Sequence, residues 1–325
     1  MKDYPLQPES DLSVPPAADC WYLTGPTAAG KTTVGIELAR RIGAEIVSLD
    51  SMAVYREMDI GTAKPTAQQR QQAPHHLLDV AVPSEEYSLS QYIDAAHEAV
   101  AEIRSRGRQV LFVGGTPLYL KSLLRGVYQG PPADWEFREQ IEQELQQVGI
   151  EALHDRLAMV DPLSAAKLHP HDKRRIVRAL EVHRQTGQPL SHRQTQFDEG
   201  RSAEQCKVFV LHWPREQLHR RIEARVEQMF AVGLVEEVGR VVERYGQLSR
   251  TAGQAVGYRE VLDHMHQGES LAATIDKVKA RTRQFARRQE TWFRALSECT
   301  FVPQAEGATP DQIAADIEQL GQQRG

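Results

Sequence analysis

The residues Gly25-Pro26-Thr27-Ala28-Ala29-Gly30-Lys31-Thr32 fit the pattern G-x-x-x-x-G-K-[ST] at every fixed position. An apolar run, Cys20–Thr24, precedes them and an amphipathic stretch, Thr33–Ile42, follows. This order constrains the fold more than any other feature, because such a loop binds phosphate only between a strand and the helix it opens. Glycines let the backbone curl so that successive N–H groups point at phosphate oxygens. The helix N-terminus adds favourable partial charge. Lys31 supplies a cation for terminal phosphate oxygens, and the Thr32 hydroxyl is a ligand for Mg²⁺. The eight residues therefore read as a diphosphate cradle. They do not say whose diphosphate.

Further short apolar runs lie at Glu45–Leu49, Leu77–Val80, Gln109–Val113, Lys207–Leu211 and Thr300–Val302, separated by longer amphipathic stretches. That alternation predicts an α/β fold, a P-loop NTPase-like core with a parallel sheet flanked by helices. Between Pro131 and Phe197 no strand pattern appears, and Gly130-Pro131-Pro132 and a polar run ending near Ser202 bracket the segment. Residues 131–202 are accordingly expected to form an all-helical insertion between two halves of the core, 19–130 and 203–310. Residues 1–18 read as a disordered leader, with no apolar h-region of a signal peptide, and 311–325 as a C-terminal tail. With 41% hydrophobic and 26% charged residues the composition is that of a globular chain. No apolar run is long enough to span a bilayer. Cys20, Cys206 and Cys299 have no paired spacing, which fits a reducing cytoplasm and buried thiols.

In open α/β sheets ligands lie beyond the carboxyl ends of the strands. Asp50 follows one predicted strand and Thr116 another, so both are expected on the rim that carries the phosphate loop. A carboxylate there is a candidate general base. The run Gln109–Val113 ends in Gly114-Gly115-Thr116 rather than in an acid. That counts against a motor or switch NTPase, whose second metal-binding element needs one. Net charge is −5, so the whole chain is not an electrostatic partner for nucleic acid. Local clusters differ. Arg174 and Arg178 stand one helical turn apart, with Ile176, Val177 and Leu180 available for a core. Arg221 and Arg225 are spaced alike, beside an apolar stripe of Leu218, Ile222, Val226 and Met229. From Lys277 to Arg294 seven basic residues face one acidic one, with Phe285, Trp292 and Leu296 as the expected core stripe. These clusters point to a polyanion. Gln254-Ala255-Val256-Gly257-Tyr258-Arg259 reads as a turn with an aromatic suited to stacking on a base. The His75-His76 and His169/His171 pairs lack a convincing third ligand and read as structural or surface residues. On the residues alone a nucleoside or small-molecule kinase and a non-catalytic RNA-binding module stay open beside a polyanion-modifying enzyme.

Six strings in order resemble the tRNA dimethylallyltransferase (tRNA isopentenyltransferase) family of bacterial type. They are the phosphate loop, D-S-M-A-V-Y-R-E-M-D-I-G-T-A-K-P from Asp50, G-G-T-P-L-Y from Gly114, R-R-I-V-R-A-L-E-V from Arg174, A-V-G-Y-R from Ala255, and R-R-Q-E-T-W-F-R from Arg287. The family pattern usually has Gln-Arg where this chain has Arg174-Arg175, and glutamine where it has Glu260. The resemblance implies transfer of a dimethylallyl group from dimethylallyl diphosphate to N6 of the adenosine next to the anticodon of tRNA, on its 3′ side. It implies an insertion that grips the anticodon stem-loop, Mg²⁺ as cofactor, and no membrane. A monomer suffices. Asp50 is expected to take the N6 proton, Thr116 to place the adenosine, and Arg225 with Arg221 to close over the diphosphate. Expected tRNA contacts are Asp50, Ser51, Met52, Ala53 and Thr116; Arg138, Arg174, Arg175, Ile176, Val177 and Arg178; Gln254, Ala255, Val256, Gly257, Tyr258 and Arg259; and Arg287, Arg288, Trp292 and Arg294.

Overall fold

The computed structural model describes residues 15–126, 130–192 and 200–324. Most of the expected leader, and residues 193–199 near the end of the expected insertion, lie outside them. Strands β1 (Trp21–Thr24), β2 (Ala44–Ser48), β3 (His75–His76), β4 (Gln109–Val113), β5 (Val208–His212) and β6 (Cys299–Pro303) form one sheet. Its order is β3-β2-β4-β1-β5-β6, and every neighbouring pair is parallel. The central strands are buried along almost their whole length, as strands covered on both faces must be, and this is why they read as unbroken apolar runs. The expected strand at Leu77–Val80 does not form. Pairing ends at His76, because Leu77 and Asp79 take left-handed backbone (φ 59° and 58°), which no ladder can continue.

The helices are α1 (Lys31–Ile42), α2 (Ala67–Arg70), α3 (Leu89–Ser105), α4 (Pro117–Arg125), α5 (Trp135–Val160, interrupted at Gly149), α6 (Pro162–Lys167) and α7 (Lys173–Thr186). They continue as α8 (Arg215–Ala231), α9 (Leu234–Tyr245), α10 (Tyr258–Gln267), α11 (Leu271–Arg294) and α12 (Pro310–Gln322). Among the described residues the chain divides into two compact units: 15–124 with 200–324, which holds the sheet, and 125–192. The segment expected as a tail is instead ordered. Thr309 caps α12, which buries Ile313, Ala314 and Ile317 and reaches the Trp21 ring at Gly321.

The smaller unit is helical. Phe137, Ile141, Leu153, Leu157, Ile176, Leu180 and Val182 fill its core. Glu181, with no exposed surface, sits beside that core and accepts hydrogen bonds from the Asp134 N–H (2.8 Å) and from Arg138 Nε and Nη2 (2.7 and 2.9 Å). Arg178 pairs with the same carboxylate and donates to the Pro131 carbonyl. Burial pushes the Glu181 carboxyl upward, but the hydrogen bonds from Arg138 and Arg178 outweigh it and hold it below the ordinary glutamate value.

Candidate active site

Because all six strands run the same way, the loops after β1, β2, β4 and β5 meet on one rim. The first is the phosphate loop. Its glycines are required by geometry. Gly25 has φ 142°, and a Cβ there would lie 2.8 Å from the Leu211 carbonyl oxygen; Gly30 has φ 96° at the start of α1. Four of the loop's carbonyls accept from side-chain donors. Lys31 Nζ donates to the Gly25 and Pro26 oxygens (3.0 and 2.8 Å), Arg221 Nε to Ala28 (2.8 Å), and Trp213 Nε1 to Ala29 (2.9 Å). The Arg221 guanidinium lies 4.3 Å over the Trp213 ring. The N–H groups of Gly30, Lys31 and Thr32, at the helix start, have no intrahelical acceptor, the arrangement by which helix N-termini bind anions.

Asp50 stands at the end of β2. Its Oδ1 accepts from the Met52 N–H (2.8 Å) and more weakly from the Ala53 N–H (3.4 Å). One oxygen is thus committed to fixing the loop, and Oδ2 has no hydrogen bond among the described residues. Thr116 ties the β4 loop to the same segment. Its Oγ1 accepts from the Ser51 N–H (3.0 Å), and its N–H donates to the Leu49 carbonyl (3.1 Å). Gly114 must be glycine, since a Cβ would sit 2.1 Å from that carbonyl oxygen. Arg225, half-buried on α8, completes a charge cluster with Lys31 and Asp50. Burial drives the Lys31 ammonium down to about 7, the Arg225 charge presses it further, and Asp50 opposes. Burial lowers Arg225 too, again against Asp50. Arg225 also borders a cavity of about 670 Å³ with Ile60, Met229 and Val232 in its wall.

Three residues that hold this rim were not singled out from the sequence. Glu237, buried on α9, accepts the N–H groups of Asp59, Ile60 and Gly61 (3.0, 2.7 and 3.1 Å) and the Tyr258 hydroxyl (2.7 Å). Lys64, whose side chain is 1% exposed, joins Asp59 and Asp79 (2.8 and 2.6 Å). Gln289 on α11 accepts from the Thr27 N–H (2.9 Å) and donates to the Gly115 carbonyl (2.6 Å). Its position between Ala286 and Phe293, on the buried helix face, was the available signal.

The family model described as IPP transferase matches residues 53–296. The tRNA dimethylallyltransferase of Rhodopirellula baltica is 49% identical over 93% of this chain and 91% of its own, and that of Geobacter metallireducens 45% identical over 86% and 90%. The crystal structure of the full-length tRNA isopentenylpyrophosphate transferase of Bacillus halodurans superposes with a TM-score of 0.69, at 36% identity over 94% of this chain and 96% of that one. A eukaryotic dimethylallyltransferase acting on tRNA gives 0.75 at 26% identity, over 92% and 77%. The chain belongs to the IPP transferase family.

Other residues expected from the family resemblance are placed less uniformly. Tyr258 is fully buried, its hydroxyl on Glu237 and its ring against Gly61, so it cannot stack on a base. Ala255 is buried and Val256 partly so, and Gly257 (φ 96°) opens α10; Gln254 and Arg259 are exposed. Glu260, where the family pattern has glutamine, accepts from the Gly257 N–H (2.8 Å), an acceptor's role that a carboxylate fills. In the helical unit Ile176 is a core residue and Val177 half-buried, while Arg138 and Arg178 are bound to Glu181. Arg174 and Arg175 are exposed, Arg175 at 3.5 Å from Asp172.

The basic stretch of α11 divides in two. Lys279 and Arg283 pair with Glu227 and Glu223 of α8, Lys277 with Glu269, and Arg281 lies 3.9 Å from Glu260. Arg287, Arg288 and Arg294 are exposed and make no ion pair among the described residues. The core stripe is Val278, Ala286, Gln289 and Phe293, not Phe285 and Trp292, which are only half-buried. His75 Nδ1 meets the Ala73 carbonyl and His76 meets Glu45, whereas His169 and His171 are exposed, their rings against each other. No group of three or more His, Cys, Asp or Glu side chains that could hold a metal occurs among the described residues. No helix among them is long and apolar enough to cross a membrane.

Proposed function

We propose that the chain transfers a dimethylallyl group from dimethylallyl diphosphate to N6 of the tRNA adenosine on the 3′ side of the anticodon. The observation that carries this reading is the pairing of a diphosphate cradle with Asp50, a carboxylate that keeps one oxygen uncommitted on the same rim. The N6 lone pair attacks C1 of the dimethylallyl group, the C1–O bond breaks, and diphosphate leaves with its electron pair. Asp50 accepts the N6 proton. Adenine N6 is a weak nucleophile, so the reaction needs both this base and strong stabilisation of the leaving group. Lys31, Arg225, Arg221 and the N–H groups at the start of α1 supply that stabilisation. Apolar surface for the prenyl group lies beside Arg225, in the wall formed by Ile60, Met229 and Val232.

Mg²⁺ fits the residues present. The Thr32 hydroxyl makes no hydrogen bond among the described residues, whereas that of Thr33 is engaged with the Gly30 carbonyl (3.1 Å). Mg²⁺ binds through few protein oxygens and substrate phosphates, and when bound it offsets charge on the diphosphate. The target base must leave its stack to reach the rim. Arg287, Arg288 and Arg294, with Arg174 and Arg175 of the helical unit, are the exposed cations available to the phosphates of the anticodon stem-loop. One chain supplies every group named, so a monomer suffices, and a tRNA substrate agrees with a cytoplasmic enzyme.

Labelled dimethylallyl diphosphate incubated with unmodified tRNA tests the reading. Label is expected on the RNA, on adenosine N6 in the anticodon loop after digestion. Unlabelled RNA, or consumption of ATP in place of the prenyl donor, overturns it in favour of a kinase.

A further inference from the structure

Gln289 is 3% exposed near the end of α11, between the buried Ala286 and Phe293. A buried amide is costly unless both its polar atoms are used. Both are used, and both on backbone of the active rim. Oε1 takes the Thr27 N–H from the phosphate loop and Nε2 holds the Gly115 carbonyl from the β4 loop. No other side chain among the described hydrogen bonds joins these two loops. The joint is tight: a Cβ on Gly115 would lie 2.6 Å from Gln289 Nε2 and 3.3 Å from Lys31 Nζ. The amide and the ammonium therefore flank the same glycine.

We propose that Gln289 is a positioning residue for the diphosphate grip, fixing the separation of Thr27 and Gly115 so that Lys31 and the loop N–H groups meet the leaving group without rearrangement. This rests on the assignment of the donor's diphosphate to the phosphate loop. A glutamine is needed because the two loops present one donor and one acceptor. Glutamate can still accept from Thr27, but it sets a carboxylate against the Gly115 carbonyl and a negative charge next to Lys31. Alanine frees both loops.

The test uses the full chain and two variants, Q289A and Q289E. It measures binding of inorganic diphosphate by calorimetry, donor KM and kcat, tRNA affinity and thermal midpoint. For Q289A, diphosphate affinity and kcat/KM for the donor should fall about tenfold, the size of one lost buried hydrogen-bond pair, with tRNA affinity unchanged. For Q289E, which keeps the acceptor for Thr27 but loses the donor to Gly115 and adds a negative charge beside the diphosphate grip, donor KM should rise at least as far, again with tRNA affinity unchanged. A lowered thermal midpoint with unchanged diphosphate affinity and unchanged donor KM in both variants shows Gln289 to be packing alone and overturns the proposal. Failure of the wild-type chain to bind diphosphate is a different result. It removes the donor assignment, and this role with it.

Discussion

Asp50 divides its two oxygens between structure and chemistry. Oδ1 holds the turn through Met52 and Ala53, so the change that isolates the chemistry is Asp50→Asn, which keeps that acceptor. Transfer should fall by about 10²–10⁴ with tRNA affinity retained; a near-normal single-turnover rate removes Asp50 as the base. Lys31 makes a prediction about pH. Its ammonium is lowered to about 7 by burial and by Arg225. A bound diphosphate favours the charged form, so binding above pH 7 takes up a proton. The contribution of Lys31 to diphosphate affinity, taken as the ratio of wild type to Lys31→Ala so that the ligand's own ionisations cancel, should therefore be level on the acid side and fall by up to about tenfold per unit above pH 7. Titration of both Kd values between pH 6 and 9 checks this, Lys31→Ala being the weaker binder on the acid side, and a ratio that stays flat above pH 7 refutes it.

At the scale of elements, α11 shows why charge counted along a sequence overstates charge offered to a ligand. Its first half is occupied in holding neighbours, through Glu223 and Glu227 of α8. Only the last turns present unpaired cations. Neutralising Arg287, Arg288 and Arg294 together should weaken tRNA binding and lower the slope of log K against log salt by about 0.7–0.9 for each phosphate no longer neutralised. The same substitutions at Lys279 and Arg283 should leave the slope unchanged. Helix α7 makes a second point. Arg138 and Arg178 keep 29% and 32% of their side-chain surface, yet both serve a carboxylate with none. Glu181→Gln should destabilise the helical unit by about 2–3 kcal/mol, below the range for a fully buried pair because the guanidiniums stay partly solvated. Because the Glu181 carboxyl is held low in the fold, its contribution is present above the ordinary glutamate value and lost as pH falls through the lowered one. Denaturant melts at neutral and acid pH read both effects.

At the scale of the whole molecule, parallel strand order decides the site, since it alone brings residues 25–32, 50, 116 and 225 to one rim. Helix α12 braces the sheet that does this. A Cβ on Gly321 would lie 2.0 Å from the Trp21 ring, so Gly321→Ala should cost about 1–3 kcal/mol by overpacking, read as a lower urea midpoint of the larger unit. The phosphate loop, five of the six strands and the rim positions of Asp50 and Thr116 were legible in the residues alone. Each of these rests on near neighbours: a turn between an apolar run and a helix, or a residue at the end of a run. Which cations are exposed, and what holds the loops, emerged only from the packed chain. Gln289 meets Thr27 across 262 positions and Glu237 meets Ile60 across 177, and no local pattern encodes a partner so distant. The same limit turned Tyr258 from an expected base contact into a core residue, because burial is set by what packs against a side chain and not by its type.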